Sequence, residues 1–115
     1  LVKGISQAIK KSRARKVYVT NIMTKWGETH GFTAADFIAA LEKYLGNDSL
    51  DHVCINTKRP SARRRARYEH ESSECVKKGE LDKNKKYIFG NFVRPRGFIR
   101  HDPDRLAKAL LNILK

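Results

Sequence analysis

The stretch that decides the fold runs from Val17 to Asp36 and reads VYVTNIMTKWGETHGFTAAD. It opens with an apolar, β-branched run, continues as a polar loop punctuated by glycines, and leads into a strongly periodic segment. Open α/β sheets bind anionic ligands at such strand-to-helix loops, because the backbone N–H groups and the positive dipole end of the helix face the loop. We therefore expect residues 21–36 to carry the function.

The segment after this loop predicts a helix over Thr33–Leu45, because its apolar residues recur at the spacing of a core-facing helical stripe. Its first residue is a good N-cap, and Asp36 stands where a capping-box partner is expected. Phe32 and Phe37 occupy the hydrophobic-staple positions, and Gly46 supplies the stop. Both ends of this helix are therefore predicted from local signals.

The whole chain alternates between helical and strand patterns. In chain order the predicted elements are a helix over Gly4–Ser12, a strand over Lys16–Thr20, the helix over Thr33–Leu45, a strand over Asp51–Asn56, a helix from Ser61 to about Glu71, a loop over Lys77–Lys85, a strand over Lys86–Val93 and a helix that starts at Asp102 and Pro103. Such alternation implies right-handed βαβ crossovers and a mostly parallel sheet covered by helices. The predicted fold class is α/β, and so small a sheet indicates part of a larger doubly wound domain.

Size and composition favour a globular fold. At 115 residues, of which 40% are hydrophobic, the chain is predicted to form one domain over residues 1–115. Its apolar runs are too short to span a bilayer and no signal-peptide pattern opens it, so no membrane partner is expected. The chain begins with Leu and enters a helical pattern almost at once, which indicates a piece of a longer protein.

The two cysteines, Cys54 and Cys75, argue against metal and disulfide chemistry. They form no CxxC motif and have no neighbouring ligand set, so no metal site is predicted. Cys54 lies inside a strand pattern, where a buried free thiol is expected. Free thiols without a disulfide framework fit a reducing cytoplasm, which is the expected location.

The formal net charge of +13 is large for this length. It implies attraction to phosphate groups, whether of nucleotides, nucleic acids or lipid head groups. The charge alone does not choose among these partners.

Loops that follow parallel strands converge at one edge of the sheet, and here they would span residues 21–32, 57–60 and 94–102. Their basic side chains are Lys25, Lys58, Arg59, Arg94, Arg96 and Arg100, and their amide and hydroxyl groups come from Asn21, Thr24, Thr29 and Thr57. Arginine binds phosphate through paired hydrogen bonds, so this edge suits a polyanionic small ligand. The predicted ligand-binding residues are Asn21, Thr24, Lys25, Gly27, Glu28, Thr29, His30, Arg100 and His101.

Several of these residues also have a plainer explanation. Asn21 can simply close a turn, and Gly27 can serve only to adopt a positive φ. Glu28 can be a solvated charge instead of binding a ligand hydroxyl, and Trp26 can pack on protein instead of stacking on a base. His30 has neither a nucleophile nor a partner carboxylate in the pattern, so no catalytic residue is assigned.

The basic run over Arg63–Arg67 is a separate signal. Runs of this kind occur in nucleic-acid-binding patches. They also occur on the solvated outer face of a helix, here with Glu69, Glu71 and Glu74 as partners for part of the charge. We favour the solvated face, because no aromatic residues interleave the run.

Motifs along nearly the whole chain follow a familiar order. They are Val17-Tyr18-Val19 running into Asn21-Ile22-Met23-Thr24, then Gly27-Glu28-Thr29, the Gly31-Phe32-Thr33 helix start, Gly4-Ile5 with Ala8-Ile9, the Asp51–Asn56 strand, Tyr68, and Arg100-His101-Asp102 before a last helix rich in Leu and Ala. In these motifs the chain resembles the C-terminal third of the bacterial gluconeogenesis factor family. That family belongs to the CofD-like superfamily, which also contains 2-phospho-L-lactate transferase.

The resemblance implies a Rossmann-like, three-layer α/β/α domain of roughly twice to three times this length. It implies a cytoplasmic regulator that binds a nucleotide-sugar such as a UDP-sugar and is linked to growth on gluconeogenic carbon sources and to cell shape. The N-terminal part of the same fold would be its partner, and homo-oligomerisation stays open. No cofactor beyond the UDP-sugar is assigned. The alternatives are a phospho-group transferase that uses a guanylylated phospholactate and a deazaflavin, and a basic nucleic-acid-binding module.

The chain departs from the family pattern at two places in the first loop. Lys25-Trp26 stands where the family usually reads Gln-Pro, and His30 stands where it usually reads Asp. The first change adds a phosphate contact to the expected site, and the second removes a carboxylate that could contact a hydroxyl or a metal.

Overall fold

A computed structural model describes residues 4–46, 49–81, 83 and 86–114. Its elements follow the predicted alternation of helix and strand. They are α1 (Ile5–Lys11), β1 (Val17–Val19), α2 (Ala34–Leu45), β2 (His52–Asn56), α3 (Ala62–Glu69), β3 (Lys86–Gly90) and α4 (Pro103–Leu114). The α/β class is therefore confirmed.

The three strands form one parallel sheet in the order β1-β2-β3. Val19 pairs with Cys54, and Cys54 pairs with Ile88, so the strands run side by side toward one edge. The central strand carries the most deeply buried residues, with Val53 and Cys54 at 0% exposure. Strands buried on both faces read as continuous apolar runs, which is why β2 was visible in the sequence.

The main hydrophobic core lies between the sheet and α2. Ala34, Ile38 and Leu45 of α2 pack with Val53 and Ile55 of β2 in one buried cluster. Cys54 points to the opposite face because side chains alternate along a strand. Its burial raises the pKa of the thiol, which keeps the group neutral.

The predicted caps of α2 are present. Thr33 Oγ1 accepts a hydrogen bond from Asp36 N at 3.2 Å, and Asp36 Oδ2 accepts one from Thr33 N at 2.8 Å, which completes the capping box. The rings of Phe32 and Phe37 meet edge to face at 5.2 Å between centroids. Gly46 ends the helix with a φ of 92°.

Most predicted elements are shorter by one or two residues in the structure, and β3 and α3 are shorter by three. β3 ends at Gly90 instead of Val93, because Phe92 N donates to the Asn56 side chain and Val93 forms an isolated antiparallel bridge with His101. α3 ends at Glu69, two residues before the predicted end. Within the predicted loop over Lys77–Lys85, residues 82, 84 and 85 lie outside the described residues, and the others form neither helix nor strand.

Within the described part of the chain, no helix combines the length and the apolar character needed to cross a membrane.

Candidate functional site

The loops after the three strands meet at the carboxyl edge of the sheet, as predicted. The loop after β1 is tied to the loop after β3, because His101 Nε2 lies 3.0 Å from the carbonyl oxygen of Thr20. A carbonyl oxygen only accepts, so Nε2 carries the proton in this contact. Thr57 N donates to Gly90 O at 2.9 Å, which joins the end of β2 to the end of β3.

Asn56, the last residue of β2, connects two of these loops through its side chain. Its Nδ2 donates to Lys58 O at 2.8 Å, and its Oδ1 accepts from Phe92 N at 3.0 Å. Both the donor and the acceptor of the side-chain amide form hydrogen bonds, so Asn56 fixes the distance between the loop after β2 and the loop after β3. In the sequence, Asn56 is recognisable only as the last residue of a strand.

The threonines of the first loop hold the loop together. Thr24 is 4% exposed, and its Oγ1 accepts from Glu74 N at 2.9 Å while its own N donates to Glu74 O at 2.7 Å. Thr29 Oγ1 accepts from Lys25 N at 2.7 Å. The oxygen atoms of these two hydroxyls therefore position the loop.

The exposed side chains of the same loop form a small polar cap. Lys25 Nζ and Glu28 Oε1 are 3.6 Å apart, and both side chains are largely in solvent. Trp26 is 59% exposed and meets the His30 ring edge-on at 4.3 Å between centroids. Gly27 has a φ of 81°, which explains glycine at this position. The ring of Trp26 is thus not part of the protein core.

The start of α2 is closed to ligands, which corrects the expectation that its amide groups face an anion. Ala34 N donates to Lys77 O at 2.6 Å, and Ala35 N donates to Lys78 O at 3.2 Å. The third amide, that of Asp36, donates to Thr33 Oγ1. The chain's own carbonyl groups therefore occupy the place at which a phosphate would bind a helix N-terminus.

The carboxyl edge remains strongly basic. Its exposed cations are Lys58, Arg59, Arg94, Arg96 and Arg100. None of these five forms an ion pair with an acidic residue of the described chain. Arg94 N donates to Arg100 O at 2.9 Å, which fixes the backbone of both residues, and Asn21 is exposed beside the β1 end of this edge.

A cleft of about 500 Å³ opens beside this edge. Its walls are residues 22–23 of the first loop, residues 56–60 after β2, Arg65 and Glu69 of α3, and residues 73–77. The 73–77 segment reaches this position because Met23 pairs with Cys75 and Val76 N donates to Ile22 O at 2.8 Å. No sequence pattern predicts this wall, since its hydrogen bonds come from backbone groups, which every residue type carries.

The arginines of α3 differ from one another in their roles. Arg64 donates from Nε to Gly97 O at 3.2 Å and from Nη2 to Phe98 O at 3.1 Å, and Arg65 Nε donates to Pro60 O at 3.0 Å. Arg63 and Arg67 are exposed. No arginine of this helix forms an ion pair with any of the three glutamates expected to balance it, all of which are described (Glu69, Glu71 and Glu74). That part of the expectation was wrong, because the inner arginines bind carbonyl groups instead.

In the part of the chain that the structure covers, no group of three or more His, Cys, Asp or Glu residues is arranged to hold a metal ion.

Comparisons with known proteins give consistent matches. The family model described as 2-phospho-L-lactate transferase CofD matches residues 1–92. A protein of Clostridium acetobutylicum, provisionally named a gluconeogenesis factor, is 40% identical over 118 residues, covering 99% of this chain and 26% of that protein. The gluconeogenesis factor of Bacillus subtilis is 32% identical over 122 residues, covering 100% of this chain and 38% of that protein.

A crystal structure of a UPF0052 family member from Bacillus halodurans is also similar. It superposes with a TM-score of 0.85 at 34% identity, covering 96% of this chain and 37% of that chain. This chain thus spans between 26% and 38% of the length of the relatives it matches here.

Proposed function

This chain belongs to the CofD family, among its gluconeogenesis factor members, and we propose that it forms part of a nucleotide-sugar-binding regulatory protein. The observation that carries the proposal is the convergence of three loops with unpaired cations at the carboxyl edge of a parallel sheet. Open α/β sheets bind nucleotides at this edge, because the loops there present side chains and amides to one ligand.

The diphosphate of a UDP-sugar is the part of the ligand that this edge suits best. Arg100 is exposed, and its backbone is held by Arg94, so its guanidinium can act as counter-charge to a phosphate. Asn21, exposed at the end of β1, is proposed to hydrogen-bond the ligand. His101 acts as a positioning residue, because its ring is already bonded to the carbonyl group of Thr20.

The exposed cap of the first loop is proposed to contact the sugar side of the ligand. Lys25, Gly27, Glu28 and His30 are the residues concerned, and each is exposed. The hydroxyls of Thr24 and Thr29 support this cap from within the loop. Because the relatives are longer than this chain, we infer that the N-terminal part of the same fold completes the pocket.

The regulatory role is proposed from the relatives, which are named gluconeogenesis factors. On that basis the ligand would report the supply of activated sugar and would link growth on gluconeogenic carbon sources to cell shape, in the cytoplasm. Binding without turnover is sufficient for such a role.

Titration calorimetry of the full-length protein with UDP-glucose tests the proposal. Arg100→Gln should weaken binding about tenfold or more, since it removes a charge-assisted bond to phosphate. The matched control is Arg13→Gln, which removes an exposed arginine that precedes β1 at the amino edge of the sheet. Equal affinities for the wild type and the Arg100 variant, or failure of any UDP-sugar to bind, would refute the proposed site.

A phospho-group transferase is the second candidate, and the family model's description as 2-phospho-L-lactate transferase favours it. Such an enzyme would move the phospholactate group from a guanylylated donor to a deazaflavin hydroxyl and release GMP. Mass spectrometry of the deazaflavin product after incubation with both substrates decides the matter. Product formation supports the transferase, and its absence together with UDP-sugar binding supports the regulator.

A further inference from the structure

A second surface adjoins the ligand edge, shares Arg96 and Arg100 with it, and joins α3 to the loop before α4. We call it the α3–Phe98 face, and its exposed side chains are Arg63, Arg67, Arg96, Phe98 and Arg100. Phe98 leaves 59% of its surface in solvent and is among the most exposed large hydrophobic side chains of the described residues.

The loop that presents Phe98 is held on α3 by three hydrogen bonds. Arg64 donates from Nε to Gly97 O at 3.2 Å and from Nη2 to Phe98 O at 3.1 Å. On the other side, Ile99 N donates to the hydroxyl oxygen of Tyr68 at 3.0 Å. Ile99 itself is buried at 7% exposure, so the backbone on both sides of Phe98 is anchored. The loop therefore holds the Phe98 ring in contact with solvent.

Guanidinium groups flank this ring. Arg67 Cζ lies 6.0 Å from the ring centroid of Phe98, and Arg100 Cζ lies 5.3 Å from it. Such contacts are typical of cation–π pairs. Within the described chain, the arginines of this face have no carboxylate partner. The aromatic residue that seemed to be missing from the basic run is therefore supplied by a loop about thirty positions later in the chain.

We infer that the α3–Phe98 face binds single-stranded nucleic acid. Phosphates would lie against Arg63 and Arg67, and one base would stack on Phe98. Positive side chains that follow the backbone together with an exposed aromatic ring are what single-strand recognition requires. The net charge of +13 supplies long-range attraction to a polyanion. An acidic peptide would pair with the arginines, but its carboxylates would not stack on the exposed Phe98 ring. In a duplex the bases are stacked on one another, so none is available to stack on Phe98.

Fluorescence anisotropy with a labelled oligouridylate, longer than the roughly 4–16 nucleotides of a typical site, tests this inference. Phe98→Ala should weaken binding about fivefold or more by removing the stacked base. Arg63→Gln combined with Arg67→Gln should lower the slope of log K against log salt by about 1.4, since each phosphate contact contributes about 0.7 on a single strand. Arg100 is left intact but lies against the Phe98 ring, so the Phe98 variant is also titrated with UDP-glucose, and an unchanged affinity there separates the two sites.

Two controls match these variants in chemistry. Phe89→Ala removes another exposed phenylalanine, 46% exposed, whose ring has Lys78 Nζ at 5.0 Å. Arg13→Gln combined with Lys43→Gln removes two exposed charges elsewhere. Both controls should bind the oligonucleotide like the wild type.

Three outcomes would overturn the inference. Unchanged binding by the Phe98 variant would leave only a charge effect. An equal loss in the Arg13 and Lys43 control would show that net charge alone attracts the strand. Tighter binding of a labelled oligoglutamate than of the oligouridylate would assign the face to an acidic protein instead.

Discussion

Replacing Asn56 with alanine should lower the free energy of unfolding by about 2 kcal/mol. The side chain bonds Lys58 O from one function and Phe92 N from the other. The bond to Lys58 is exposed to solvent and contributes about 0.5 kcal/mol. The bond to Phe92 is partly buried, and its loss leaves an amide of a residue only 5% exposed without its partner, which costs about 1–3 kcal/mol.

Urea unfolding followed by circular dichroism measures this loss, which should lower the midpoint by about 1–2 M at an unchanged m-value. Two further variants separate the contributions. Asn56→Asp keeps an acceptor for Phe92 N but loses the donor to Lys58, so it should cost about 0.5–1 kcal/mol. Ser12→Ala removes a local, exposed bond of 3.2 Å from Ala14 N and should cost less than about 0.5 kcal/mol.

The role given to Asn56 is wrong if the alanine variants at positions 56 and 12 lose the same stability. It is also wrong if Asn56→Asp is as unstable as Asn56→Ala, because the buried acceptor would then contribute nothing. Either result would mean that the loops after β2 and β3 are held together by other contacts.

Two further predictions concern the buried Cys54 thiol and the close contact between Gly79 and the Thr33 side chain. Burial raises the pKa of the Cys54 thiol, so the unfolded chain ionises first and stability is lost as the pH rises above roughly 8.5. In urea unfolding at about pH 7 and about pH 9.5, Cys54→Ala should reduce that loss, whereas Cys75→Ala should retain it; equal losses in both variants would contradict the assignment. Gly79→Ala should cost about 2–5 kcal/mol, because its φ is 73° and a Cβ there would overlap the Thr33 side chain. Gly27→Ala, at a φ of 81° in open space, should cost only about 1–2 kcal/mol, and a smaller drop in melting temperature for Gly79→Ala than for Gly27→Ala would contradict the clash.

Much of the fold was predictable because its determinants are local. The capping box of Thr33 and Asp36, the staple of Phe32 and Phe37 and the apolar stripe of α2 all lie within a few residues of one another. The alternation of helices and strands then requires parallel crossovers, which leaves few arrangements of the sheet. The convergence of the loops followed from that topology.

What could not be predicted depends on contacts between distant backbone groups. The carbonyl groups of Lys77 and Lys78 accept the first amides of α2 from more than forty positions away in the sequence. No residue type predicts such a backbone contact. The placement of Phe98 beside α3 is of the same kind. The ligand roles of the site residues stay predictions, since a ligand contact depends on the partner as well as on the chain.

The closure of α2 also bears on how the protein is made. A ribosome releases the chain from its amino end, yet the amides of Ala34 and Ala35 and the carbonyl of Ile22 receive their native partners only from residues 76–78. The first strand, its loop and α2 therefore emerge as a segment whose hydrogen bonds are incomplete until the second crossover has left the exit tunnel. Domains fold as units during synthesis, and in this protein the unit cannot close before that point. A translational pause placed between α2 and residue 78 would prolong the exposure of these groups, and one placed after it would not.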